Sequence, residues 1–299
     1  MINTEDKSRA YKNIDTWADA DILSALVDGQ ERAIAAVRSA IPQISKAAEA
    51  LAKNLKNRGR LYYAGAGTSI RIGVQDGSEL PATFGMADDR IGYLIAGGSA
   101  AIFETLADAE DNADEGTKAA SMLKPNDTLI AIAASGVTPY TVATAIRAKQ
   151  NGATVIAVAN NSGSPLAAIA DFEILLDSGA EVVAGSTRMG AGTAQKAALN
   201  LLSTLAHIKL GAVYDGMMVN MQAGNLKLQK RARGIVSSIT GVNETIAGAA
   251  LKTAAGDMKL AALLCSGAES IDVARRKLAE ADGNLRVALN AKVILQERG

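Results

Sequence analysis

Glycine and hydroxyl-bearing residues recur in this 299-residue chain where an apolar run gives way to a helical pattern. Two such places are short turns, Gly65-Ala66-Gly67-Thr68-Ser69 and Ala134-Ser135-Gly136-Val137-Thr138. Backbone N–H groups at a helix N-terminus attract phosphate, glycine lets the backbone approach closely, and Ser or Thr hydroxyls donate further hydrogen bonds. One such turn alone is more often an ordinary capped turn. Two at matching places predict binding of a sugar phosphate.

The third place is the stretch from Gly179 to Lys196, which reads GAEVVAGSTRMGAGTAQK. It sets small residues, hydroxyls and one arginine at the start of a long helical pattern. Arg188 could clamp a carboxylate or a phosphate, and it could equally hold the loop. Together the three segments predict a pocket for a phosphorylated small molecule. Its candidate binding residues are Gly67, Thr68, Ser69, Ser135, Gly136, Thr138, Ser186, Thr187 and Arg188.

Three carboxylates could take part in proton transfer at such a pocket. Glu79 lies near the end of the helix predicted after the first glycine turn, just before Pro81, and Glu110 follows the second predicted strand. Glu181 stands beside the long glycine-rich stretch. General acid–base catalysis near neutral pH needs a positioned carboxylate whose pKa is shifted by its surroundings. From spacing alone, a surface or capping carboxylate is the favoured reading for each of the three.

Nucleotide and metal chemistry find little support. A dinucleotide fingerprint counted from Gly65 requires glycine at the position of Ile70, and no G-x-x-x-x-G-K-[ST] motif occurs. His207 and Cys265 are the single histidine and cysteine of the chain, so a His/Cys metal site is not expected. His207 is read as a packed or half-exposed helical residue and not as a catalytic one. No metal and no cofactor are predicted.

Composition narrows the class of protein. Hydrophobic residues make up 48% and charged residues 21%, which is typical of a globular chain. Acids and bases balance at 31 each, so no basic excess points to nucleic acid. The N-terminus has no apolar core for a signal peptide, and no apolar run reaches the length of a membrane span. With a single cysteine, these features predict a cytoplasmic protein without a membrane partner.

The order of predicted elements indicates an α/β fold. Short apolar runs alternate with helical patterns in the middle of the chain, which predicts a parallel sheet with helices on both faces. The predicted strands are 61–64, 91–96, 128–133, 154–159 and 172–176. Residues 100–122 are predicted as one helix, and beyond about residue 216 only helices are expected. The predicted regions are N-terminal helices over 1–48, the sheet domain over 49–215 and a helical region over 216–299.

Nearly the whole chain resembles the N-acetylmuramic acid 6-phosphate etherases, relatives of the glucokinase regulatory protein in the sugar isomerase (SIS) superfamily. The resemblance is carried by both glycine turns, by the stretch from Glu181 to Lys196 and by two acidic segments. These segments read Ser78-Glu79-Leu80-Pro81-Ala82-Thr83-Phe84-Gly85 and Ala109-Glu110-Asp111.

The resemblance implies an SIS-type fold and removal of the D-lactyl ether of N-acetylmuramic acid 6-phosphate by elimination and then hydration. It implies that Glu79 is the proton donor and Glu110 the second active-site carboxylate. Phosphate contacts would fall on Ser69, Ser135 and Thr138. The resemblance also implies a homodimer, a phosphorylated amino sugar as substrate and no cofactor.

The chain departs from the family pattern at Ile70, where glycine is usual, and at Gly190, where lysine is usual. Two alternative functions therefore stay open. One is an isomerase of another sugar phosphate, in which Glu181 could act. The other is a regulator that senses a sugar phosphate without chemistry.

Overall fold

A computed structural model describes residues 3–104, 106 and 108–296. The described chain separates into two compact units. The first comprises residues up to 78 together with 89–206, and the second comprises 79–88 together with residues from 207 onwards. The region boundaries expected from the sequence remain a prediction.

The first unit is built on a five-stranded sheet, which confirms the predicted α/β class. All neighbouring strands are parallel, and the strand order is β2-β1-β3-β4-β5. The strands are β1 (Leu61–Gly65), β2 (Ile91–Ile95), β3 (Thr128–Ile132), β4 (Thr154–Ala159) and β5 (Phe172–Leu175). Every residue of β1 and β3 is buried, as expected for strands covered on both faces.

Helices precede, connect and follow these strands. Pro42 stands in the first turn of α2, where its missing N–H leaves no hydrogen bond unmade. The helices that begin in the first unit are α1 (Asp19–Ser39), α2 (Ile41–Lys56), α3 (Gly67–Phe84), α4 (Ala113–Ala119), α5 (Pro139–Gln150), α6 (Pro165–Ile169) and α7 (Gly190–Lys209). The prediction ended α3 near Glu79, whereas the helix continues through Pro81.

The single helix predicted over 100–122 is wrong. Residues 105 and 107 lie outside the described residues, and the rest form short 3₁₀ turns around one short helix, α4. The Asn112 side chain accepts a hydrogen bond from the Glu115 backbone N–H at 2.9 Å, so the α-helix begins only at Ala113. The 3₁₀ turn Ala109–Asp111 just before it carries Glu110.

The second unit is helical apart from one short hairpin. The expectation of helices alone beyond residue 216 is corrected by β6 (Val213–Tyr214) and β7 (Met217–Met218), which pair antiparallel. The methionines of β7 therefore belong to a hairpin and not to a helix. The remaining helices are α8 (Leu226–Thr240), α9 (Glu244–Thr253), α10 (Met258–Cys265), α11 (Ile271–Glu280) and α12 (Leu285–Gln296). His207 is buried in this unit and stacks on Phe84, in agreement with its reading as a packed residue.

A buried carboxylate ties α3 to the sheet and to α7 within the first unit. Tyr63 of β1 donates a 2.6 Å hydrogen bond to Asp76 of α3, and Asn200 and Ser203 of α7 donate to the other oxygen of that carboxylate. Burial, and secondarily the negative charge of Asp76, raises the pKa of Tyr63 well above its usual value. The Tyr63 phenol therefore stays protonated, and this network is structural.

Candidate active site

The chain reverses its direction of progress across the sheet at β1, because β2 lies on one side of β1 and β3 on the other. In open parallel sheets, ligands bind at such a switch point, beyond the carboxyl ends of the strands. The turns that leave β1 and β3 meet at this edge of the sheet. They are the two glycine turns that the sequence singled out.

The first turn requires glycine for close packing and for its backbone conformation. A Cβ added at Gly65 would lie 2.7 Å from the carbonyl oxygen of Ile132 on the neighbouring strand. Gly67 has a φ of +52°, in the left-handed region that glycine tolerates best, and it begins α3. The first backbone N–H groups of α3 have no partner within the helix, so they can bind an anion.

The second turn has the same construction after β3. Gly136 has a φ of +70°, and a Cβ at this position would lie 2.3 Å from Oγ of Ser164. The Ser135 side chain accepts a 3.3 Å hydrogen bond from the Val137 N–H, which shapes the turn. Thr138 immediately precedes α5.

A cavity of about 460 Å³ lies at this edge of the sheet. Residues of both turns line it together with Glu110 and Thr187. Its complete lining is Glu5, Ala66, Gly67, Thr68, Ser69, Glu110, Asp111, Ile132, Ala133, Ala134, Ser135, Val137, Thr138, Pro139 and Thr187. The cavity thus combines hydroxyl groups, two helix N-termini and carboxylates, which suits a ligand with both a phosphate and neutral hydroxyls.

The other predicted binding residues stand outside this lining. Gly136 is buried and shapes the second turn without facing the cavity. Ser186 is half-buried in the loop before α7, and Arg188 is exposed there. Of that loop, only Thr187 is among the described residues of the lining. Their binding roles remain predictions.

Glu110 and Glu79 occupy different parts of the fold. Glu110 is exposed and lines the cavity of the first unit. Glu79 is an exposed residue of α3 that belongs to the second unit. The catalytic role of Glu79 therefore rests on the resemblance of the sequence.

Glu181 has a structural task. Its side chain is buried, and its two carboxylate oxygens accept hydrogen bonds from the backbone N–H groups of Gly190 and Ala191 at 2.9 and 2.8 Å. A carboxylate at a helix N-terminus is stabilised by the unpaired N–H groups and by the helix dipole. Glu181 thus holds the start of α7 and does not line the cavity.

Ile70 and Gly190, where the sequence departs from the family pattern, are both buried. Ile70 is buried, 1% exposed, and a Cβ at Gly65 would lie 3.4 Å from its Cβ. Gly190 is buried against the Glu181 carboxylate. Neither residue is part of the lining.

Tyr140 follows the second turn in the chain, as the second residue of α5. Burial, and secondarily the negative charge of Glu115, raises the pKa of its phenol to about 12. The phenol therefore stays neutral at physiological pH. Tyr140 itself is buried in the first turn of α5, which fits a structural role.

Sequence reasoning did not assign Glu5 or Asp111 to the site, although both line the cavity. Asp111 stands next to Glu110 in a recognised segment. Glu5 lies 60 or more residues from the other lining residues. No periodicity or local motif marked it.

The described residues contain neither a metal-binding cluster nor a membrane-spanning helix. Within residues 3–104, 106 and 108–296, no three His, Cys, Asp or Glu side chains are grouped so that they could hold a metal ion. No helix in the same part of the chain is long and apolar enough to cross a membrane.

Comparison with known proteins identifies the domain and the fold. Residues 93–205 match the model of the SIS domain. A solved structure from Bacteroides fragilis, described as a proposed phosphosugar isomerase involved in capsule formation, shares the fold with a TM-score of 0.50 and 20% identity. It covers 68% of this chain and 98% of its own.

Two curated relatives extend along almost the entire chain. N-acetylmuramic acid 6-phosphate etherase of Deinococcus radiodurans is 42% identical over 96% of this chain and 94% of its own length. N-acetylmuramic acid 6-phosphate etherase 1 of Vibrio cholerae is 43% identical over 96% of both chains. The chain therefore belongs to the N-acetylmuramic acid 6-phosphate etherase family.

Proposed function

We propose that this protein cleaves the D-lactyl ether of N-acetylmuramic acid 6-phosphate, giving N-acetylglucosamine 6-phosphate and D-lactate, in the recycling of cell-wall amino sugars. The observation that carries the proposal is the similarity of nearly the whole chain to relatives named for this activity. The cavity supports it, because it offers sites for a phosphate and a carboxylate for proton transfer. The protein is accordingly a carbon–oxygen lyase.

Neutral donors bind the phosphate in this proposal. The lining contains no Lys or Arg among the described residues, so hydroxyl groups and helix N-termini must compensate the negative charge. Ser69, Ser135 and Thr138 supply the hydroxyls. The first turns of α3 and α5 supply backbone N–H groups and their dipoles.

The elimination begins with the open-chain form of the sugar, whose C1 aldehyde acidifies the proton at C2. Glu110 removes that proton, and the electron pair forms a C2–C3 double bond as the C3–O bond breaks. The resemblance of the sequence assigns protonation of the departing oxygen to Glu79, so that D-lactate leaves with its hydroxyl restored. The position of Glu110 in the cavity supports its assignment as the base.

Water then adds to the unsaturated aldehyde. Its oxygen bonds to C3 and a proton returns to C2, which yields N-acetylglucosamine 6-phosphate. The sum is one water consumed for each ether cleaved. All proton transfers are assigned to carboxylates of this chain.

Turnover in D₂O tests this route. The proposal predicts release of D-lactate together with N-acetylglucosamine 6-phosphate that carries deuterium at C2, detected by mass spectrometry. Lactate released without deuterium at C2 would contradict the elimination. Deuterium exchange into a sugar phosphate without lactate release would favour an isomerase instead.

A homodimer fits the surface of α1. Leu23, Val27 and Ile34 are 62%, 56% and 46% exposed, and their spacings of four and seven residues place them on one face of the helix. Such an apolar stripe on a surface helix favours association with a second copy of the chain.

The proposed location is the cytoplasm, because a chain with one cysteine suits a reducing compartment.

A further inference from the structure

A third side-chain carboxylate, that of Glu5, lines the cavity with Ser69, Ser135 and Glu110. It comes from the first turn of the described chain and not from the sheet domain. The mechanism described above does not use it. Its position in the lining, beside the two glycine turns, suggests that it contacts the ligand.

Thr4, the residue before Glu5, is held by hydrogen bonds to two different loops. Thr4 is fully buried, and its N–H donates to Oδ1 of Asn161 while its hydroxyl accepts from Nδ2 of Asn161, at 3.3 and 3.0 Å. The carbonyl of Thr4 accepts a 3.2 Å hydrogen bond from the N–H of Gly185. The segment is thus fixed to the loop after β4 and to the loop before α7.

Gly185 leaves room for the Glu5 carboxylate. A Cβ at Gly185 would lie 2.9 Å from Oε2 of Glu5, and the φ of Gly185 is +75°. The carboxylate therefore rests over a backbone position that has no side chain. The described lining residues include no Lys or Arg, so no cationic side chain of the lining pairs with Glu5.

The charge of Glu5 decides which part of a ligand can face it. A phosphate group would be repelled by an unneutralised carboxylate a few ångströms away. A sugar hydroxyl can instead donate a hydrogen bond to it, and hydrogen bonds to charged acceptors are among the strong ones. Glu5 is therefore suited to the sugar part of the ligand, away from the phosphate.

We propose that Glu5 binds substrate directly: its carboxylate accepts a hydrogen bond from a hydroxyl of the bound sugar phosphate and so selects sugar phosphates over simple phosphate monoesters. This inference rests on the proposed function for the identity of the sugar.

Binding measurements on Glu5→Ala test the inference without requiring turnover. N-acetylglucosamine 6-phosphate carries hydroxyls, whereas ethyl phosphate has the same phosphate ester and none. Glu5→Ala should weaken binding of N-acetylglucosamine 6-phosphate by about tenfold or more, since a hydrogen bond to a charged group contributes about 1.5–3 kcal/mol. Affinity for ethyl phosphate should stay the same or rise, because a repulsive charge is gone.

Two further variants separate binding from support of the fold. Glu5→Gln keeps an acceptor oxygen and should lose less affinity for the sugar phosphate than Glu5→Ala. Asp6→Asn changes an exposed neighbouring carboxylate outside the lining, and it should leave both affinities unchanged.

Three outcomes would overturn the inference. They are an equal loss of affinity for both ligands in Glu5→Ala, no loss for the sugar phosphate, or no binding of the sugar phosphate by the unmodified protein. An equal loss would mean that residues 3–5 only support the cavity wall. Failure of the unmodified protein to release D-lactate, with these affinities as expected, would count against the proposed function and not against Glu5.

Discussion

Ser135 and Thr138 line the cavity from the turn between β3 and α5. Replacing both by alanine removes two hydroxyl donors and the hydrogen bond from the Val137 N–H to Ser135, while Gly136 of the turn remains. Each hydrogen bond to a charged group contributes about 1.5–3 kcal/mol, so we expect affinity for 6-phosphosugars to fall about 100-fold or more. Calorimetry with N-acetylglucosamine 6-phosphate measures this loss. Unchanged affinity would place the phosphate elsewhere.

Glu110 is the base in the proposed mechanism. Glu110→Gln keeps the shape of the side chain and removes the proton acceptor, so the rate of D-lactate release should fall by about 10²–10⁴ with little change in binding of the product. Asp114→Asn, an exposed carboxylate of the neighbouring helix α4, is the matched control and should keep full activity. A Glu110→Gln enzyme that turns over normally would exclude Glu110 from the chemistry.

Glu79→Gln tests the proposed proton donor. Lactate release should be abolished while phosphosugar binding stays largely intact, because only the protonation of the leaving group is lost. Ser78→Ala, at the exposed preceding residue, should retain activity. Normal lactate release by Glu79→Gln would remove Glu79 from the mechanism.

At the scale of elements, the turn after β3 depends on Gly136. Alanine there would meet both a positive φ and a Cβ position 2.3 Å from Oγ of Ser164. Gly163, with a φ of +65° and nothing within 4 Å of its Cβ position, is a matched control for the backbone strain alone. We expect Gly163→Ala to lower the free energy of unfolding by about 1–2 kcal/mol, and Gly136→Ala to lower it by about 1–3 kcal/mol more. Urea unfolding of the two variants compares these costs, and equal destabilisation would contradict the packing argument.

The strands of the sheet could be predicted because their apolar runs are short, buried and bounded by turn residues. The predicted ends differ from the observed ends by one residue at β1, β2, β3 and β5. The helix predicted over 100–122, after β2, is wrong for a physical reason. Gly97 and Gly98, just before the segment, both have positive φ. Phe103 within the segment is 91% exposed, so burial of an apolar face does not stabilise a helix there.

The site could be predicted only in part. Its turns have a local chemistry that can be read from the sequence, namely glycine and hydroxyl residues between a strand and a helix. Glu5 reaches the cavity through hydrogen bonds of Thr4 to residues more than 150 positions away, which no local pattern encodes. Glu181 resembled a catalytic candidate because a capping carboxylate and a reactive one have the same residue type.

At the scale of the whole molecule, the apolar face of α1 predicts self-association. Val27→Glu places a charge in the middle of this face and should shift the protein from dimer towards monomer in sedimentation experiments. Ala35→Glu, on an exposed position about 100° around the helix from Ile34, is the control and should leave the dimer intact. An unmodified protein that sediments as a monomer would contradict the proposed assembly.

The most direct test of the proposed activity is D-lactate release from N-acetylmuramic acid 6-phosphate by the purified protein, with unphosphorylated N-acetylmuramic acid as control. We expect steady release from the phosphorylated sugar and almost none from the unphosphorylated one, because the turns after β1 and β3 are proposed to bind the phosphate. Absence of lactate from the phosphorylated sugar, or equal release from both sugars, would contradict an etherase that works through this cavity.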